Sequence, residues 1–157
     1  MALYPEDVPF NVVKENWFTW DLGNDCILKI KLVLGKILKP PSVPLEKVEN
    51  FNLQHQAFTI VTAPLHVKGS PETRELTKEL LDESIIEDID PKPLAQDGNE
   101  YTLENGTIIR LKLMLLRVAR TDIFSADGTP VYVVQHQIVP QLILPKKKKV
   151  RRPSNIV

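Results

Sequence analysis

Cysteine is nearly absent from this chain, and that absence removes several classes of structure. Cys26 is the single thiol among 157 residues, so no disulfide can close within the chain. A lone cysteine at the start of a β-pattern reads as a small apolar core residue. Long apolar runs are missing too: none approaches the roughly 18 to 20 residues that a membrane-spanning helix needs, and no membrane partner is expected. The opening MALYPEDVPFNVV carries two acids and a proline where a secretory signal has a basic segment and a long apolar stretch. The expectation is an intracellular protein, cytoplasmic, or nuclear if the source is eukaryotic. Glycine is scarce and scattered, and neither LVLGK nor HVKGS approaches a phosphate-cradling loop. No Ser, Cys or carboxylate stands at an interpretable spacing from a histidine, so no nucleophile is paired with a base. Neither a catalytic set nor a cofactor is implied.

What remains is the composition of a soluble globular domain, 43% apolar and 25% charged. A chain of this length can bury about 70% of its unfolded surface and needs no metal or disulfide to fold. Net charge is zero but unevenly spread. Residues 1–70 carry seven basic and seven acidic side chains, 71–105 carry three and eleven, and 106–157 carry ten and two. That polarity bears on partners and says nothing about fold.

The tripeptide Gln-His-Gln occurs at 54–56 and again at 135–137, an offset of 81. Applied without a gap, this offset aligns 20–64 with 101–145 and leaves ten of those 45 positions identical, Leu22/Leu103, Asn24/Asn105, Ile27/Ile108 and Lys31/Lys112 among them. An internal duplication explains this better than shared β-patterning does. Each copy reads as a three-stranded meander. In the second copy Asn105-Gly106 and Asp127-Gly128 are hairpin signals, and the first of them matches a type I′ turn; Pro140 marks a bulge or an edge strand. In the long middle strand Leu28, Ile30, Leu32 and Leu34 alternate with lysines, but beyond Gly35 the apolar residue is Ile37. The same switch recurs at Arg117 and Val118, which predicts a bulge or a bend between sheets.

The fold expected is therefore mainly β: two duplicated three-stranded meanders about a pseudo-two-fold axis, forming a small barrel or sandwich within a single domain over 1–145. One short helix in the acidic connector 69–100, capped by Ser70 with Pro71 at its first position, and a basic tail over 146–157 complete the chain.

Strand alternation places His55 with Leu53 and Ala57, and His136 with Val134 and Ile138, on the apolar faces. Paired, buried, structural histidines are the expectation; a metal site lacks further ligands at suitable spacing, since Cys26 and His66 are the only nearby candidates. Cations at Lys29/Arg110, Lys31/Lys112, Lys36/Arg117 and Lys39/Arg120 recur in both copies. With the tail residues Lys146, Lys147, Lys148, Lys149, Arg151 and Arg152 they form a candidate polyanion-binding set. No aromatics interleave the tail, which disfavours base stacking. The reading is a non-catalytic binding or assembly module contacting a protein partner. A nucleic-acid-associated protein using the basic residues on phosphates is the alternative, and an enzyme built on His55 and His136 ranks below both. Oligomeric state is not legible.

Overall fold

The computed structural model describes residues 4–145, and within them the chain is mainly β. Ten strands follow in order: β1 (Glu6–Asp7), β2 (Phe10–Lys14), β3 (Trp17–Gly23), β4 (Cys26–Lys39), β5 (Asn52–Thr62), β6 (Ile85–Ile89), β7 (Lys92–Pro93), β8 (Asn99–Leu103), β9 (Ile108–Phe124) and β10 (Pro130–Ile143). A single helix, α1 (Lys78–Glu83), precedes β6. No helix among the described residues is long and apolar enough to cross a membrane.

The strands form two antiparallel five-stranded sheets. In the first, β4 pairs along one edge with β5 and along the other with β3 and then β1, while β7 lies outside β3. In the second, β9 pairs along one edge with β10 and along the other with β8 and then β6, while β2 lies outside β8. Neither sheet closes on itself, so the barrel alternative is not realised. Their inward residues meet in one cluster, with Phe18, Leu28, Ile30 and Leu32 from the first sheet and Tyr101, Ile109, Leu111 and Val118 from the second.

The registers repeat at the offset of 81. Trp20 faces Leu28 and Tyr101 faces Ile109; Leu34 faces His55 and Leu115 faces His136. The face switch is a bulge in both long strands. One residue, Gly35 in β4 and Leu116 in β9, is extra relative to the partner strand. Beyond it Ile37 and Val118 turn inward and are buried. The repetition also reaches beyond 20–64: Glu6-Asp7-Val8 matches Glu87-Asp88-Ile89, and Glu6 faces Lys39 as Glu87 faces Arg120. After these short strands each arm crosses to the other sheet, β2 to β8 and β7 to β3, again in matching register (Val12 with Tyr101, Pro93 with Trp20).

Two local expectations need correction. The turn whose two central residues both take positive φ is the first copy's, at Asn24 (53°) and Asp25 (61°), preceded by Gly23 (88°). At Asn105-Gly106 only the glycine is left-handed, and Gly106 N–H donates to Leu103 O while Leu103 N–H donates to Thr107 O. That is a type I turn followed by a glycine bulge, because Asn105 spends its side chain accepting from Thr107 N–H rather than taking positive φ. The helix is capped by Thr77, whose Oγ1 accepts from Leu80 N–H, not by Ser70. The Ser70 segment is held instead on the β9–β10 hairpin: Gly69 N–H donates to Gly128 O and Glu72 N–H to Phe124 O. The helix also stops at Glu83, where Ile85 and Ile86 begin β6; β-branched residues suit a strand that completes β9's edge.

Between β3 and β1 the edge of β4 has no strand partner among the described residues. Side chains occupy the gap. Asn99 Nδ2 donates to Leu32 O at 2.8 Å, Leu34 N–H donates to a Glu15 carboxylate oxygen at 3.1 Å, and the Tyr101 hydroxyl donates to that same oxygen at 2.6 Å. Asn99 Oδ1 also accepts from Asn16 N–H. Burial first, then the bond to Glu15 and its charge, pushes the Tyr101 phenol well above its ordinary value. Asn99→Leu should strand the Leu32 carbonyl and Asn16 N–H and cost about 1 to 3 kcal/mol in urea unfolding. Because the folded state holds the Tyr101 proton after the unfolded chain releases it near pH 10, stability should fall as pH rises above about 10. Thermal melts of Tyr101→Phe should show a shallower alkaline decline than those of the parent.

Candidate functional site

The two histidines occupy the equivalent places that alternation predicts, opposite Leu34 and Leu115, yet their surroundings differ. His55 is exposed, its Nδ1 3.1 Å from its own strand's Leu53 O. The expectation of a buried pair fails there because β5 ends its sheet and its inward face at Ala57 and Thr59 is exposed among the described residues. His136 is half-buried, and its Nδ1 is enclosed without a hydrogen-bond partner. The two rings line separate clefts. His55 lies with Val33, Gly35 and Gln54, and His136 with Thr59, Lys78, Leu81 and Asp82. No group of three or more potential metal ligands assembles among the described residues. Cys26 is buried beside Tyr132, whose phenol is raised by burial first and then by the neighbouring thiol. His66 is exposed, in a short turn away from the strands.

The cations divide into two groups. Lys36 pairs with Asp7 at 3.2 Å and Arg117 with Asp88 at 2.8 Å; Lys39 pairs with Glu6 at 3.5 Å and Arg120 with Glu87 at 2.9 Å. These are the same two ion pairs, 81 residues apart, between the short arm strands and the bulged half of each long strand. Arg110 is engaged by Glu100 at 2.9 Å. Lys29, Lys31 and Lys112 make no ion pair among the described residues; Lys31 Nζ lies 5.7 Å above the Trp17 ring, a favourable cation–π distance. Residues Lys146, Lys147, Lys148, Lys149, Arg151 and Arg152 lie outside the described residues.

The most unusual surface belongs to the sheet ends. Among the described residues β5 pairs only with β4, and β10 only with β9, which leaves free edges 11 and 14 residues long. Neither strand contains an Asp, Glu, Lys or Arg, although the chain is 25% charged. Natural edge strands are commonly short, bulged or charged so that they do not recruit a further strand. Here the bulges sit on β4 and β9, leaving β5 and β10 regular. Pro140 is the one edge-blunting residue in the interior of either strand; Pro130 only begins β10. Apolar side chains flank both edges on the outward faces: Phe58 and Ile60, 49% and 46% exposed, beside Lys31 and Lys29, and Val139 beside Lys112, with the exposed Met114 one row on, opposite Gln137. Beside the β10 edge runs a cleft of about 500 Å³ between α1 and Thr59, lined by Tyr132, Val134 and His136.

Comparisons with protein-family models, curated proteins and solved structures return no match to this chain.

Sequence reasoning located both histidines and both cation rows but missed the acids that neutralise them. The signal was present as Glu6-Asp7-Val8 and Glu87-Asp88-Ile89 at the same offset of 81. It also missed the uncharged edges, which are legible as two runs without a charge once the strands are known to be terminal. His55→Ala should shift stability by less than about 0.5 kcal/mol, as exposed substitutions do. His136→Leu should be neutral or stabilising by about 1 kcal/mol, since it removes an enclosed polar atom that has no partner. Equal losses in both, measured by urea unfolding, would contradict the asymmetry.

Proposed function

We propose that the chain is a non-catalytic binding or assembly module that contacts a protein partner through the unprotected edges of β5 and β10. The observation that carries this reading is the pair of long, regular strand edges without a single charged side chain. Depletion of charge marks the centres of protein interfaces, and an open edge offers main-chain hydrogen bonds that a partner strand can complete, with specificity coming from alternate side chains. The exposed Phe58, Ile60 and Val139 would add apolar contact beside those edges.

The same reading extends to ancestry. Matching registers, matching bulges and matching ion pairs at one gapless offset support a duplication of an arm-plus-meander unit, wider than 20–64 and 101–145 because it takes in β1 and β6. The shared hydrophobic cluster supports a two-layer sandwich in which the units exchange β2 and β7.

A second reading places nucleic acid on the outward lysines and the basic tail. Lys29, Lys31 and Lys112 favour it, as do the six cations of 146–152. Five of the eight ribbon cations count against it, because Lys36, Lys39, Arg110, Arg117 and Arg120 are already engaged by carboxylates.

The two readings respond in opposite directions to one change. Phe58→Lys and Val139→Lys place a cation on each exposed edge, where it opposes strand addition. If the edges bind protein, capture of partner from a nuclease-treated lysate should fall roughly tenfold or more while melting stays within about 0.5 kcal/mol of the parent. If phosphates are the target, the added charge should strengthen salt-sensitive binding to DNA or RNA and leave protein capture unchanged.

A further inference from the structure

The seven residues 133–139 of β10 read Val-Val-Gln-His-Gln-Ile-Val. Reversed, they differ only in the exchange of Val134 with Ile138. This stretch lies on an edge that is free among the described residues, in a strand whose two pairing irregularities put the extra residues on β9 and leave β10 itself straight. Gln135 and Gln137 are exposed, as is Val139, and the Val133–His136 half of the stretch borders the cleft between α1 and Thr59.

We propose that β10 pairs antiparallel with β10 of a second copy of this chain, with the two-fold axis passing beside His136. This rests on the edge-strand reading above and names the partner for one of the two edges. In such a pair residue 136 + k of one copy faces 136 − k of the other. Gln135 then faces Gln137, whose amides can exchange hydrogen bonds on the outward face. Val133 faces Val139 on that same face, and Val134 faces Ile138 on the inward face. His136 meets its own image on the axis, and every other facing pair joins like with like, amide to amide or β-branched to β-branched, which are favourable cross-strand combinations. No charged residue meets its own image, the usual obstacle to edge pairing between identical strands. Each copy's 137–139 would enter the other's cleft beside α1, so the two clefts fill reciprocally, as an isologous contact requires. Pro140, which has no N–H to offer, ends the pairing just beyond Val139.

The equivalent edge of β5 does not favour the same arrangement. A two-fold centred on His55 would set Asn52 against Phe58 and Leu53 against Ala57, pairing unlike side chains. The inference therefore falls on β10 alone.

Sedimentation velocity and disulfide trapping test it on the full chain. The parent should sediment as a dimer at about 100 μM, and Val139→Lys should weaken association at least roughly tenfold. Facing residues of an antiparallel pair stand about 4.5 to 5.5 Å apart between Cα atoms, within disulfide reach. Under mild oxidation His136→Cys should therefore form a covalent dimer. Gln141→Cys should not, because the two copies of that residue would lie roughly 34 Å apart along the strands. Gln135→Cys combined with Gln137→Cys provides a second trap at the same register, should His136→Cys fold poorly. A parent that stays monomeric at that concentration, or Gln141→Cys that cross-links as readily as His136→Cys, overturns the self-pairing. If the monomer's protein capture is still lost in Val139→Lys, only the self-pairing falls; if capture survives both Lys substitutions, the edge-strand reading falls with it.

Discussion

The bulge in the middle of each long strand is the constraint on which the rest of the structure depends. At Gly35 and Leu116 one extra residue shifts the side-chain phase, so that a single strand buries leucines on one parity before the bulge and Ile37 or Val118 on the other parity after it. A strand that turns in this way does not keep one neighbour along the whole of one edge. β4 is therefore flanked by β3 and then by β1, and β9 by β8 and then by β6. The short arm strands are fastened at the bulged halves by their ion pairs, Lys36 with Asp7 and Arg117 with Asp88. These pairs are exposed and individually worth little; backbone pairing and the burial of Val8 and Val118 carry more of the stability.

Switching partners along one edge leaves a stretch of backbone that no strand reaches, and buried backbone groups there need other partners. Around β4 the solution is polar: Glu15, Asn99 and Tyr101 supply the missing bonds. The offset maps Asn99 onto Phe18 and Tyr101 onto Trp20, which stack in the other half with ring centroids 6.3 Å apart. The two halves thus share a backbone plan while filling equivalent positions differently, one with a hydrogen-bond network and one with aromatic packing. A polar network of this kind is satisfied in only one arrangement of its members, and so helps specify how the crossing segment from β2 to β3 is seated.

The opposite edges have no such arrangement. Among the described residues β5 and β10 end their sheets without a charge or a bulge of their own, and the inward face of β5 at His55, Ala57 and Thr59 is exposed. The fold otherwise fills its edges with arms, ion pairs and side-chain bonds, so the two terminal strands differ from every other edge in it. Five of the eight cations that stand out along the strands are engaged by carboxylates, and the neutral strands that do not stand out carry the long free edges among the described residues.

The sequence by itself determined the six long meander strands, the offset of 81 and the inward faces of the long strands. Alternation of Leu28 to Leu34 assigns the inward side, the shift at Gly35 announces the bulge, and the offset of 81 predicts which residues take equivalent places. These are local or periodic properties, carried by neighbouring residues and by the pleat. Tertiary structure decided what covers each face and which strand lies last. His55 and His136 have the same neighbours in sequence and the same register, yet one is exposed and the other half-buried, because burial depends on the element lying above the face. The seating of the Ser70 segment and the crossing of β2 and β7 were likewise settled by contacts with distant residues, such as Phe124 O for Glu72 N–H, whereas the type I turn at Asn105 and the helix cap at Thr77 rest on bonds two to four residues long.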